Sequence, residues 1–555
     1  MKIPTIVAAL FAGLVIASPF APAAEPAKPA AVMPLFEGLG AHSHKITTTS
    51  PEAQKYFDQG LRFLFGFNHG AAIRSFRRAA ELDPQCAMAH WGIALAHGPH
   101  INVPMVPPPA AEVAWKELGL AQAAAANATP LEKALIEALS HRYANPQPDD
   151  RSPLDLAYAD AMRKVWQAFP GDTDVGVFFA EAMMDLRPWD QWTPEGQAQP
   201  GTDEILATLD AVLKLDINHP FANHLYIHAV EASKHPDRAI PAADRLLTLQ
   251  PGLAHNVHMP SHIYIRVGRW DDAVNSNLKA VAADRKYREI AGPAKGFFPL
   301  YIAHNEHMLA YAAMMTGRSA LAFEHIKAMR AGLSDEFLTE FAGMAEAWRA
   351  MPLEVMVRFG HWDEVLAEPD HPATEPFTHA FQHAARAITF AAKGDAAAAR
   401  KEQAEYVVAA KAVPADEIAA GNNTCQAVLA VVTPMVEGEV LVREGRIEDG
   451  LAALRAAVKA EDALHYDEPP SWLIPVRHSL GASLMNAGRF AEAEQVYRED
   501  LGRLPENGWA LFGLSEALAR QHKAAEAVEV LAKFKKTWSH ADLTIKSSCL
   551  CQPGA

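Results

Sequence analysis

Cysteine is scarce. A chain of 555 residues carries four, Cys86, Cys425, Cys549 and Cys551, too few to staple a body of this size, so its stability has to come from burial. Basic charge is short as well: 50 Lys+Arg stand against 66 Asp+Glu, a formal charge of −16. That leaves no positive surface for a phosphate backbone, and nucleic acid is excluded as an expected partner. A Gly-rich phosphate loop, a Ser-His-Asp order and a Cys-x-x-Cys pair are also missing, which disfavours nucleotide and nucleophilic chemistry. Beyond the first residues no stretch reaches about 18 uninterrupted apolar positions, so no membrane insertion is expected.

The chain opens with Lys2, an apolar run from Ile3 to Ile16, and Ala21-Pro22-Ala23. This order predicts a cleaved secretory signal over residues 1–24 and a soluble, secreted, periplasmic product. An N-terminal extension over 25–52 follows, containing a His-x-His at His42 and His44. At the other end Cys549-Leu550-Cys551 reads as a disulfide, a minor metal site or a pair of exposed thiols, with the disulfide the plainest of the three.

Half of the residues are hydrophobic and alanine is abundant, which suits stacked helices and argues against disorder. Tyr56, Gly60, Phe63, Ala72, Phe76, Ala79 and Pro84 follow an aromatic, small, aromatic, Ala, aromatic, small, Pro order. Near the other end Gly481, Gly488, Ala493, Tyr497 and Pro505 repeat it, with degenerate copies around Ala239, Gly268, Gly317, Gly394 and Ala527 between and beyond. This pattern resembles that of tetratricopeptide repeats, two helices and a closing turn per unit. The resemblance covers most of residues 53–540 and implies an all-α solenoid, with a C-terminal tail over 541–555. Phe67-Asn68-His69, YDEPPSW at Tyr466–Trp472 and NGWALFGL at Asn507–Leu514 further resemble a group of secreted bacterial tetratricopeptide proteins without a firmly known role.

Four segments break the repeat: 98–110, 187–201 with Trp189 and Trp192, 366–377 and 464–475. Prolines there remove donors and fix φ, so helices stop. Loops this long are candidate lids over a groove, or spacers holding packed tryptophans.

Three stretches, NHLYIHAVE, AHNVHMPSHIYIR and AHNEH, hold seven histidines: His224, His228, His255, His258, His262, His304 and His307. Counted from helix starts near Thr173, Pro220, Ala254 and Ala303, His255 and His304 take the second place. His224, His258 and His307 take the fifth, and Glu181, His228 and His262 the ninth. These places share one helix face. The resemblance implies that this face lines the concave groove, so the seven imidazoles and Glu181 are expected to meet there, with Glu231 at the twelfth place. His224 with His228 and His258 with His262 are i,i+4 pairs, the spacing that offers two imidazoles to one metal. One or two transition-metal ions are expected, copper or zinc favoured and iron possible. Glu181 and Glu231 are candidate bases or ligands, and Arg266, one turn beyond His262, could hold an anionic group of a small molecule. The competing reading is a scaffold whose groove takes a peptide or partner protein without metal, its histidines receiving carboxylates or bonding to backbone oxygens. Pro260, between His258 and His262, is the doubtful joint, since a helix starting there would leave His255 and His258 off the shared face.

Overall fold

Each repeat unit forms because one helix presents glycine where its neighbour presents an aromatic ring. A Cβ added to Gly60 would lie 2.4 Å from the Phe76 ring, and one added to Gly92, in the next unit, 2.7 Å from the same ring. Tyr497 is gripped in the same way between Gly481 and Gly513, where added Cβ atoms would approach to 2.4 and 2.2 Å. The small-on-aromatic contact read from the sequence is thus a physical repeat, and it lets neighbouring helices lie close.

In the computed structural model residues 33–419 and 421–552 are described, and the expected signal segment over 1–24 lies outside them. From Leu35 onward the chain is one unit, built of helices with no β-ladder beyond isolated bridges among the described residues. Helices pair in chain order, from Pro51–Leu64 with His69–Leu82 at one end to Gly508–Arg520 with Ala524–Thr537 at the other. The fold is a tetratricopeptide-type α-solenoid. The helix Cys425–Arg443 has the length and hydropathy to cross a membrane. It carries Glu437 and Glu439, and it packs on the helices Ile447–Asp462 and Pro376–Ala392 as a core helix.

The solenoid curls until its ends meet its middle. Trp509 Nε1 donates to the carbonyl of Met314 at 2.7 Å, and Trp270 Nε1 to that of Pro505 at 2.8 Å. Asp542 accepts from the backbone N–H of Ser319 and of Ala320, both at 2.8 Å. At the front, Phe36 stacks on Tyr287 with ring centroids 5.5 Å apart, and Gly252 N–H donates to Gly38 O at 2.8 Å. These contacts bring segments distant in the chain together around the histidine-bearing helices.

Candidate metal centre

Three consecutive first helices carry the histidines. Pro220–Glu231 starts on a proline, whose missing N–H costs nothing in a first turn, and the His219 ring accepts from Ala222 N–H at 3.2 Å. Next come Ala254–His258 and Pro260–Arg266, joined through Met259, itself helical at φ −46° and ψ −39°. Pro260 therefore interrupts the hydrogen-bond ladder without ending the helix: Met259 N–H still reaches His255 O, and His262 N–H takes Met259 O instead of the carbonyl a turn back. The third helix, Phe298–Met315, carries His304 and His307.

Six of the seven histidines fall into two trios of one design. His224 and His228, an i,i+4 pair, meet His255 from the next helix; His258 and His262, another such pair, meet His304 from the helix after. Within each trio the candidate ligand atoms all lie within 4.8 Å of one another. The trios adjoin, with His228 and His262 rings 5.6 Å apart and His255 and His258 rings 5.9 Å apart.

Hydrogen bonds at Nδ1 decide what the other ring nitrogens can do. His224 Nδ1 lies 2.7 Å from the carbonyl of Phe65, which only accepts, so the proton is on Nδ1 and Nε2 is a bare lone pair. Asn277 Nδ2 donates to Ala273 O at 2.8 Å, which turns Asn277 Oδ1 toward His258 Nδ1 at 2.6 Å and fixes the same tautomer. His228 Nδ1 donates to Glu231 Oε1 at 2.8 Å, and His262 Nδ1 faces Glu231 Oε2 at 2.7 Å and Glu468 Oε1 at 2.6 Å. The Nε2 atoms then converge: His258 to His262 at 2.7 Å, and His224 to His255 at 3.2 Å. His228 Nε2 and His255 Nδ1 are buried without partners. Facing lone pairs repel unless a proton or a metal cation sits between them. Glu231 serves both trios, one oxygen to each.

Burial keeps most of these rings neutral, as ligands must be. It drives His228, His255, His258 and His304 well below the ordinary imidazole range and His224 down to about 3. His262 is the exception. Burial pulls it down too, but the Glu468 and Glu231 carboxylates outweigh that and raise it to about 10. Burial, then the nearby Glu468 carboxylate, raises Glu231 in turn.

A cavity of about 360 Å³ opens on the trios, lined by His228, His255, His262 and His304. Three of the four segments that break the repeat roof it, through Ile101 and Asn102, Pro188 and Trp189, and Asp467 and Glu468. The roof is tied down: Trp189 Nε1 donates to Asn102 Oδ1 at 3.0 Å, and Asn102 Nδ2 to Tyr301 OH at 3.1 Å. Trp189 also stands edge-on to the His228 ring at 5.2 Å. The fourth segment, 366–377, contributes no lining; His371 pairs there with Glu375 at 3.1 Å.

The other expected residues lie apart from the trios. His307 is in neither; its ring meets Trp348 at 5.2 Å with Nε2 unpartnered, and the i+4 place that would complete a pair holds Tyr311 rather than a histidine. Glu181 sits by the buried Arg142–Asp185 ion pair of 2.6 Å, and burial raises its carboxyl to about 7 against the pull of Arg142. Arg266 donates to Ser233 O at 3.1 Å and covers the Tyr466 ring at 5.1 Å, while Tyr466 donates to Glu468. It braces the roof segment that delivers Glu468.

Glu468 and Phe65 were not foreseen as site residues, although YDEPPSW and the Phe67-Asn68-His69 stretch stood out. Phe67, at φ +53°, is a large residue in the left-handed region, and its ring lies 4.6 Å from His224 and 5.2 Å from His255. Such a conformation persists only where the surroundings enforce it. His42 and His44 are tied down as well, at 3.0 and 2.7 Å from Asp174, which His219 also meets at 2.9 Å. That cluster fails the tautomer test for a metal. His219 Nδ1 accepts a backbone N–H, so its proton is on Nε2, donated to Asp174.

No family model matches this sequence, and no curated protein matches it. Among solved structures it is similar to yeast Tom70, at 14% identity over 88% of this chain and 92% of that one with a TM-score of 0.31. Human IFIT1 as a dimer with m7Gppp-AAAA gives 12% identity over 89% and 91% with a TM-score of 0.31. The APC/C hetero-tetramer Cut9–Hcn1 gives 10% over 88% and 74% with a TM-score of 0.30. Superpositions this loose carry no argument, and the fold assignment rests on the helix pairs themselves.

Proposed function

We propose that this chain is an exported dinuclear transition-metal protein. His224, His228 and His255 hold one ion and His258, His262 and His304 the other, with copper or zinc ahead of iron. The observation that carries the reading is the convergence of imidazole nitrogens: hydrogen bonds at Nδ1 turn the bare Nε2 atoms of His224 and His258 toward the Nε2 atoms of His255 and His262, one such pair in each trio. Ligating histidines characteristically use their other nitrogen in this way, on a carbonyl or carboxylate. All-imidazole donor sets suit copper and zinc. The export half of the reading rests on Lys2 and the apolar run Ile3–Ile16.

Three protein ligands leave a coordination position open, the pattern of metal sites that act on a substrate. An ion held there supplies Lewis acidity, an activated water or, with copper, electron exchange. The residues of this chain supply the rest. Glu231 and Glu468 hold the His228 and His262 rings in position, Trp189, Tyr301 and Trp348 wall off bulk water, and the cavity of about 360 Å³ admits a small molecule.

Cobalt(II) titration of protein made without a His tag tests the proposal. Visible bands of four- or five-coordinate cobalt are expected to saturate at about two equivalents, and at about one when His258 and His262 are replaced by Ala. Bands that never develop, or a saturation point indifferent to those substitutions, contradict it.

A further inference from the structure

The C-terminal tail builds a second kind of site, remote in sequence from the imidazoles. Residues 547–552 lie along the helices Cys425–Arg443 and Val476–Asn486. Ser548 Oγ donates to His478 O at 2.8 Å and shares a hydrogen bond with Tyr497 OH at 2.7 Å. Gln552 Nε2 donates to Ser483 Oγ at 3.0 Å and accepts through Oε1 from Asn486 at 3.1 Å. The tail is thereby anchored on both sides of Cys549-Leu550-Cys551, and both sulfurs are buried. Exposed thiols are thus excluded, and the two form a disulfide.

What the disulfide faces is unusual. Glu439 is 1% exposed, and its Oε1 lies 3.2 Å from Cys551 Sγ. A disulfide sulfur has no proton to give, so this contact is a hydrogen bond only when Glu439 carries the proton. Burial does favour that form, raising the carboxyl to about 7 against the pull of Arg443. Ser479 Oγ touches both sulfurs, at 3.4 and 3.6 Å. The two sulfurs and a Glu439 oxygen lie within 4.8 Å of one another, a compact S,S,O donor set.

We propose that Cys549, Cys551 and Glu439 form a redox-gated site for a thiophilic divalent cation such as zinc or cadmium. In the oxidised chain the S–S bond staples the tail. An added dithiol reduces it: the S–S bond breaks, two electrons and two protons pass to the sulfurs, and the reagent leaves as its own disulfide. The cation then displaces both thiol protons and the Glu439 proton, and it is held by two thiolates and a carboxylate on a tail whose anchors remain in place. This site does not depend on the imidazole trios.

Cadmium binding reads it selectively, because thiolate-to-cadmium charge transfer gives an ultraviolet band that imidazole ligation does not. Protein as purified should show no such band. After reduction and removal of reductant it should bind about one equivalent with the band, oxidation should abolish it, and Cys549→Ser should never develop it. Glu439→Gln should keep the band but weaken the affinity about tenfold or more. A reduced wild type without the band overturns the proposal. So does a thiol count, under denaturing conditions without reductant, of four rather than the two expected from Cys86 and Cys425, since the pair would then not be oxidised at all.

Discussion

Glu231 is the residue on which both trios depend. Each of its carboxylate oxygens receives one Nδ1–H, from His228 and from His262. In Glu231→Gln the amide oxygen can accept from one ring, while the NH2 confronts the other. Loss of such an outer partner costs about 10- to 100-fold in metal affinity. Competition against a chelator is expected to show a drop of that size for at least one ion, with the far-ultraviolet circular dichroism unchanged; undiminished affinity for both would contradict the bridging role. pH separates the trios. In the metal-free protein His262 keeps its extra proton up to about pH 10, whereas His224 is neutral above about 3. Metal must displace the His262 proton, so affinity at the His258–His262–His304 trio rises about tenfold per pH unit as pH climbs toward that value. The other trio should load with little pH dependence near neutrality. Isothermal titration in buffers of different ionisation enthalpy reads the proton released at each step, and equal release at both would contradict the assignment.

At the scale of helices, the sequence was legible where periodicity and spacing carried the signal. The small-on-aromatic repeat stands as Gly60 and Gly92 on Phe76, and Gly481 and Gly513 on Tyr497. Gly481→Ala should therefore cost about 1–3 kcal/mol by overpacking, seen as a lower urea midpoint, while the remote imidazole trios keep their metal stoichiometry. A midpoint at the wild-type value would mean that the ring simply moves aside. The i,i+4 histidine pairs are visible in sequence because a helix fixes that spacing, and Pro260 shifts one hydrogen bond without breaking the run. Register did not reveal how the faces divide. Equivalent places point to a common groove, yet a trio draws the fifth and ninth places of one helix and the second place of the next, which leaves His307 facing Trp348. Glu181 shared the register too, but the Arg142–Asp185 pair is its nearest charged company.

At the scale of the whole molecule, the roof and the closure come from contacts far apart in the chain, which no local pattern announces. Glu468 reaches His262 across the solenoid, and Phe65 reaches His224 from the first repeat. Trp509 locks the curl by its bond to Met314 O, with Arg358 3.5 Å over its ring. Replacing this fully buried tryptophan by alanine should cost about 3–5 kcal/mol and speed chelator extraction of metal as the cavity opens. Extraction at the wild-type rate would separate closure from access. The central claim is tested most directly by elemental analysis of untagged protein reconstituted with copper or zinc and freed of loose metal. The account predicts about two ions per chain, about one when either His224 with His228 or His258 with His262 is changed to Ala, and almost none when all four are changed. A wild type that retains no ion, or a fourfold variant that retains as much as the wild type, would contradict it.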